Sequence, residues 1–364
     1  MKIGIIGSGE IARQLSLSGI SLGFEFHCLG KKDECAAEVV KTITEIDLDN
    51  TKDVVSWAKQ FDILTFEKEN IPLNLIKELL HQINIYPSAK AISICQDRLC
   101  EKTFLQEHGI ATANFVNIDS LKSLQDAVAK YGLPAILKKR KYIDERENLV
   151  ITSQDDIVKA WDIIENSSCG FIYERYIGFD YEVSQICTVD IKGNIAFYPL
   201  SKNIYKNGMI TEVEVPFNNS LLLEKSQQIA TQIIKDVEMV GTLTIEFFVK
   251  DNDLIVKKIH PCLHESGNWS IDASLTSQYE NHIRAISGLL LGDVSTCNAV
   301  MLNCIGMMPT TKDLSALDRV KIHVYNKKFC KESRVGHLNI RINDETDKYQ
   351  LLQAKKLIAL CESI

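Results

Sequence analysis

Residues 241–272, GTLTIEFFVKDNDLIVKKIHPCLHESGNWSID, constrain the fold of this chain more than any other stretch. Residues 242–250 and 254–259 are apolar and β-branched, with Asp251-Asn252-Asp253 between them, so the pattern predicts a β-hairpin. Glu246 lies in the first strand, and Lys257-Lys258 stand near the end of the second. An irregular run with His264, Glu265, Ser266, Asn268 and Trp269 follows. Polar and charged groups converging at the end of a buried hairpin suit a phosphate or metal site. A sheet with one solvated face is the competing reading.

The first 87 residues alternate strand and helix. Residues 2–6 read as an apolar strand, 11–22 as an amphipathic helix, and 24–29, 63–66 and 85–86 as further short strands. That is an α/β unit with a parallel sheet. Gly7-Ser8-Gly9-Glu10-Ile11-Ala12 fits the G-x-G-x-x-A turn that cradles phosphate after a strand. Its dinucleotide form also needs an acid at the end of the second strand. Cys28-Leu29-Gly30-Lys31-Lys32 offers none, which disfavours a nicotinamide dehydrogenase and favours another phosphate-bearing ligand. Glu67 and Asn70 follow a strand, where open sheets bind ligands, or else cap a helix starting at Ile71.

A helix is expected from Ser93, carrying Gln96, Asp97, Arg98 and Lys102. Residues 134–138 form an apolar strand ending in Lys138, placed to meet a polyphosphate or to snorkel into solvent. The strand from Phe171 leads into a connector at Glu174, Arg175, Tyr176 and Ile177, with Glu182 on the next strand. Backbone N–H and C=O groups there suit an adenine edge, and a carboxylate suits ribose hydroxyls. Further strands are expected at 197–203, 209–215, 319–325 and 336–342, and helices at 221–237, 277–290 and 348–361.

At 364 residues, two or three domains are expected. A net charge of −7 argues against a nucleic-acid-binding surface. No apolar run reaches the roughly 18 residues of a membrane helix, and the opening residues predict a strand rather than a secretory signal. Eleven scattered cysteines without a CxxC pair suit reduced thiols in a cytoplasmic protein.

Several segments, in order, resemble one family: FDILTFEKEN, SICQDRLCEK, GLPAILK, YERYIGFDYEVS, YPLSKNIYKNG, IEFFV, HESGNW, SQYENHIRAISGLLLGD and KKFCKESRVGHLNIR. The family is 5-(carboxyamino)imidazole ribonucleotide synthase, the ATPase subunit of phosphoribosylaminoimidazole carboxylase, in the ATP-grasp superfamily. The resemblance implies an α/β and α+β multidomain fold. Its parts would be a Rossmann-like pre-ATP-grasp domain over 1–92, a two-lobed ATP-grasp module over 93–300 and a small β-rich domain over 301–364. It also implies ATP-dependent carboxylation of aminoimidazole ribonucleotide by bicarbonate, through carboxyphosphate, in purine synthesis. The functional partner would be the mutase that consumes the product, and family members are often homodimers.

Carried over by motif position, Arg98, Lys138 and Arg146 would face the nucleotide phosphates, and Glu174 to Ile177 would form the adenine hinge. Glu182 would bind ribose, Tyr205 stands where the family has a histidine near the nucleotide, and Glu246 would be a Mg²⁺ ligand. Gly9, Glu10, Glu67, Lys327 and Arg334 match positions that hold the ribonucleotide. Arg98, Lys138 and Lys258 would supply the charge neutralisation on which phosphoryl transfer depends.

This chain also departs from the pattern. Where the family has Asn-Glu followed by Ile-Ala-Pro-Arg-Pro-His-Asn-Ser-Gly-His-Trp, it has Lys257-Lys258 and then Ile-His-Pro-Cys-Leu-His-Glu-Ser-Gly-Asn-Trp. Lys258 thus replaces the second metal carboxylate, with Lys257 beside it as a further cation for the nucleotide. The family's glycine-rich phosphate loop is here Tyr142-Ile143-Asp144-Glu145-Arg146-Glu147-Asn148, without glycine. Two arginines before Gly336 have become Cys330 and Ser333. A weakly active or non-catalytic ATP-binding scaffold is therefore the competing reading.

Overall fold

The computed structural model describes residues 1–141, 148–327 and 331–362. Strands β1 (Lys2–Ile6), β2 (Glu25–Leu29), β3 (Thr42–Thr44), β4 (Ile63–Phe66) and β5 (Asn84–Tyr86) form a parallel sheet in the order β3-β2-β1-β4-β5. Side chains alternate across a strand, so Ile3 and Ile5 of β1 enter one core and Ile6 enters the other. Both faces are covered, as a parallel sheet requires. The chain runs outward from β1 to β3 and then returns to the other side at β4. A crevice therefore opens at the carboxyl ends of β1 and β4.

Strands β6 (Phe115–Ile118), β7 (Ala135–Lys139), β8 (Leu149–Ile151) and β9 (Phe171–Arg175) make an antiparallel sheet in the order β6-β9-β7-β8. Leu137 and Tyr173 face each other and pack under helices Leu121–Tyr131 and Gln154–Glu165. The pleat then sends Ile136, Lys138 and Glu174 to the opposite face. One alternation thus gives this lobe both its core and its charged wall.

The remaining strands are β10 (Tyr181–Val189), β11 (Ile195–Phe197), β12 (Ser201–Lys206), β13 (Met209–Val215), β14 (Gly241–Lys250), β15 (Asp253–His260), β16 (Ala299–Ile305), β17 (Val320–Val324) and β18 (Arg334–Arg341). They form one sheet ordered β15-β14-β10-β12-β13-β16-β18-β17, with β11 on β10. The hairpin read from residues 241–272 is β14–β15. Its turn residues Asp251 and Asn252 have φ of 51° and 59°, the left-handed pair that a two-residue hairpin turn demands. A bulge after Glu246 sets that residue opposite Lys258 and Phe247 opposite Val256, leaving Lys257 as the extra residue.

Several elements differ from expectation. The helix expected from Ser93 is two, Ala89–Cys95 and Arg98–Glu107, because the Asp97 carboxylate caps the second through the Leu99 N–H. The expected strand 197–203 breaks between β11 and β12, where the Tyr198 hydroxyl turns inward to donate to Thr276 O at 3.0 Å. The helix expected from Ile71 begins at Leu73, after Pro72. Strand β16 was not anticipated; it pairs with β13 and so joins the last strands to the central sheet. The boundaries expected at 92/93 and 300/301 fall inside helix Ala89–Cys95 and β16.

The first and central units share a core in which Tyr279, Ile283 and Ile286 of helix Gln278–Ser287 pack with Ile3, Ile5 and Leu15. His282 joins them further, with Nε2 2.9 Å from Thr65 Oγ1 and Nδ1 accepting the Thr242 N–H at 3.1 Å. Burial pushes this imidazole down to about 3, so it is neutral. Among the described residues, no helix is long and apolar enough to cross a membrane, and the cysteines are free thiols.

Candidate active site

The crevice at the ends of β1 and β4 is a cavity of about 560 Å³. Gly9, Glu10, Glu67, Lys327 and Arg334 all line it, as does Asn70. The Gly9 N–H donates to Glu67 Oε2 at 2.8 Å. A Cβ at Gly9 would lie 2.4 Å from Glu67 Oε1, so only glycine permits this approach. Glu67 is therefore held by the glycine turn and does not cap the following helix. Its burial raises the carboxyl above the ordinary value, outweighing the Gly9 N–H.

Glu10 is bracketed by two cations. Arg334 Nη2 donates to Oε1 at 2.6 Å, and Lys327 Nζ donates to Oε2. Burial pushes the Glu10 carboxyl up, but Arg334 and Lys327 together hold it below the usual range. Arg334 also meets Glu265 of the irregular run after β15. The C-terminal strands thus bring two cations onto a cavity floored by the first glycine turn.

A second cavity, of about 180 Å³, lies between the two antiparallel sheets. Lys138, Glu174, Arg175, Tyr176, Ile177 and Glu182 line it, with Lys257 and Asn148. Lys138 Nζ donates to Glu174 Oε1 at 2.8 Å, and Lys102 Nζ lies 3.2 Å from Oε2. Burial acts to raise Glu174, but the two lysines bring it down to about 2. Burial in turn lowers Lys138, against the opposing pull of Glu174. Arg98 opens the helix Arg98–Glu107, half-buried, with its backbone N–H donating to Arg140 O at 2.8 Å. Arg146, with the loop 142–147, and Cys330 lie outside the described residues.

The third cluster centres on Glu246. Tyr205 donates its hydroxyl to Oε1, and His260 Nε2 lies 3.0 Å from Oε2. Lys257 reaches Glu182 at 2.7 Å and Glu246 at 3.7 Å, with its ammonium 3.9 Å from the Tyr205 ring centre. Lys258, expected to pair with phosphate when nucleotide is bound, here donates to Glu69 Oε1 at 3.3 Å. The bulge accounts for this, because the extra residue Lys257 takes the place beside Glu246 and Glu182. Burial raises the Glu246 carboxyl, but Lys257 and the His260 hydrogen bond hold it well below the ordinary range.

As an all-oxygen Mg²⁺ site this cluster fits poorly. The second carboxylate is absent at position 258, and the Lys257 ammonium lies 3.7 Å from Glu246. Its donors are instead Glu246, His260 and His264, whose ligand atoms lie within 4.8 Å of one another. Sequence reasoning assigned no site role to Glu69, Lys102 or His260. Glu69 and Lys102 sit in charged runs with no distinguishing spacing. His260 was visible, because it stands where the family pattern has alanine.

Residues 1–96 match the ribonucleotide synthetase pre-ATP-grasp domain, 103–279 the ATP-grasp domain, and 299–350 the phosphoribosylaminoimidazole carboxylase C-terminal domain. The chain is 33% identical to N5-carboxyaminoimidazole ribonucleotide synthase of Pseudomonas aeruginosa, over 94% of this chain and 95% of that one. The structure of the corresponding synthetase of Thermus thermophilus superposes with a TM-score of 0.91 at 30% identity, covering 98% of each chain. That of the Staphylococcus aureus synthetase complexed with ADP gives 0.90 at 27% identity, covering 97% of this chain and 96% of that one. By sequence over 94% of its length, by domain composition and by fold, the chain belongs to the N5-carboxyaminoimidazole ribonucleotide synthase family.

Proposed function

We propose that the chain carboxylates aminoimidazole ribonucleotide with bicarbonate at the expense of ATP, in purine biosynthesis. The observation that carries this reading is the presence of two separate cavities with different linings. One is walled by a glycine turn and the Lys327–Glu10–Arg334 cluster, the other by Lys138, Glu174 and Glu182.

In this reading ATP lies in the second cavity. Backbone from Glu174 to Ile177 meets the adenine edge, Glu182 meets the ribose, and Lys138, Arg98 and Lys257 face the phosphates. The ribonucleotide lies in the first cavity, its phosphate on Lys327 and Arg334 and its ring near Gly9 and Glu67. A bicarbonate oxygen attacks the γ-phosphorus, and ADP departs, leaving carboxyphosphate. The exocyclic amine then attacks the carboxyphosphate carbon, and inorganic phosphate departs with loss of the amine proton. Lysines and arginines lower the barrier by neutralising charge on the transferring group. The domain limits given above, a cytoplasmic setting, a dimeric assembly and transfer of product to the mutase are parts of the same proposal. Bicarbonate labelled with ¹⁸O tests the carboxyphosphate step. Label should appear in the released phosphate, and unlabelled phosphate would exclude that step.

A further inference from the structure

We propose that this chain takes a first-row transition dication, rather than Mg²⁺, in a site made by Glu246, His260 and His264. Glu246 lies in β14, His260 ends β15, and His264 follows four residues later. The imidazoles of His260 and His264 stack with centres 4.2 Å apart and planes 26° from parallel. One donor atom from each of the three residues lies within 4.8 Å of the others. Donors at about 2.0–2.2 Å from a shared ion stand no more than roughly 4.4 Å apart. Closing the site therefore needs only a small rotation of side chains already together. The ion would replace the hydrogen bond between His260 Nε2 and Glu246 Oε2.

Ligand chemistry selects the ion. Mg²⁺ takes oxygen ligands, whereas imidazole nitrogen suits cobalt, nickel and zinc. Groups that orient the ligands are also present. The Ser266 N–H donates to His264 Nδ1 at 3.3 Å, and Ser266 Oγ lies 2.9 Å from the same nitrogen, so Ser266 fixes the orientation of this ring. Glu69 lies 3.9 Å from His260 Nδ1 and is itself held by Lys258. A carboxylate behind a ligating histidine fixes its tautomer and ring orientation. Lysine at 258 thus removes the carboxylate of a magnesium site and positions a group that serves a histidine. Lys257, 3.7 Å from Glu246, opposes a bare dication, so the phosphates of a bound nucleotide should strengthen binding. Only that last point rests on the nucleotide reading of the cleft.

The test titrates Co²⁺ into the full chain, with and without a non-hydrolysable ATP analogue, and follows its visible absorption bands. His260→Ala should weaken Co²⁺ binding about tenfold or more, while Mg²⁺ competition changes less than twofold. Equal Co²⁺ affinity and identical bands in the two proteins would overturn the proposal. Pulsed electron paramagnetic resonance of Mn²⁺-loaded wild-type protein needs no variant. Imidazole ¹⁴N couplings support the site, and their absence overturns it. Substrate-dependent ADP release, measured separately, distinguishes a wrong metal from a wrong reaction.

Discussion

Lys258 and Glu69, 189 positions apart in sequence, form a buried ion pair with Nζ 3.3 Å from Oε1. The pair ties the end of the central hairpin to the loop after β4, and so ties the two cavities to each other. Burial acts to raise the Glu69 carboxyl, but Lys258 and His260 bring it to about 2. At an effective dielectric of about 20, attraction at this distance is about 5 kcal/mol, while desolvation costs several kcal/mol per ion. The pair therefore fixes geometry more than it adds stability.

Removing one partner is a different matter, because it strands the other charge. Lys258→Met should destabilise the protein by about 3–5 kcal/mol in chemical denaturation. The double variant Lys258→Met/Glu69→Leu should recover most of that loss. If Lys258→Met alone unfolds at the wild-type midpoint, the pair is not buried as described.

Glu174, like Glu69, contributes to the acid limb of stability. Its folded-state value of about 2 lies below the unfolded value of 4.5. The contribution is therefore complete above pH 4.5 and is lost as pH falls toward 2. At about 1.4 kcal/mol per pH unit, the loss is on the order of 3 kcal/mol. Glu174→Gln should flatten the pH dependence of stability in that window, and an unchanged slope would contradict the assignment.

The glycine turn admits a third test. Gly9→Ala forces a Cβ to within 2.4 Å of Glu67 unless the carboxylate withdraws. Stability should fall by about 1–3 kcal/mol, and ribonucleotide affinity should fall with it. Unchanged ribonucleotide binding would separate Glu67 from the substrate.

Much of this arrangement was legible because it follows from alternation within single strands. Burial on both faces of β1 and the opposed faces of β7 and β9 follow from their own residues, and the hairpin turn from Asp251-Asn252. What escaped depends on pairing between distant segments. The β13–β16 contact joins the last strands to the central sheet without a local signal. The bulge after Glu246 decides which of two adjacent lysines meets Glu182, and no pattern in Lys257-Lys258 distinguishes them. Departures from the family pattern identified position 258 as unusual, but the direction of its ammonium came only with the fold. His260, two residues on, stands in the same stretch.

Arg334 offers a split between substrates. Arg334→Ala leaves Glu10 with Lys327 and should raise the KM for aminoimidazole ribonucleotide about tenfold or more, the scale of a charged hydrogen bond. The KM for ATP should stay within twofold, because Lys138 and Glu182 line a separate cavity. Equal rises in both constants would place Arg334 in a structural role.

The most direct measurement of the central claim is ADP release by the purified chain, with aminoimidazole ribonucleotide and bicarbonate supplied together and each omitted in turn. The account predicts release that requires both, with one carboxylated ribonucleotide formed per ADP and the rate lost in Lys138→Ala. Release that is absent with both substrates present, or indifferent to the ribonucleotide, would contradict it.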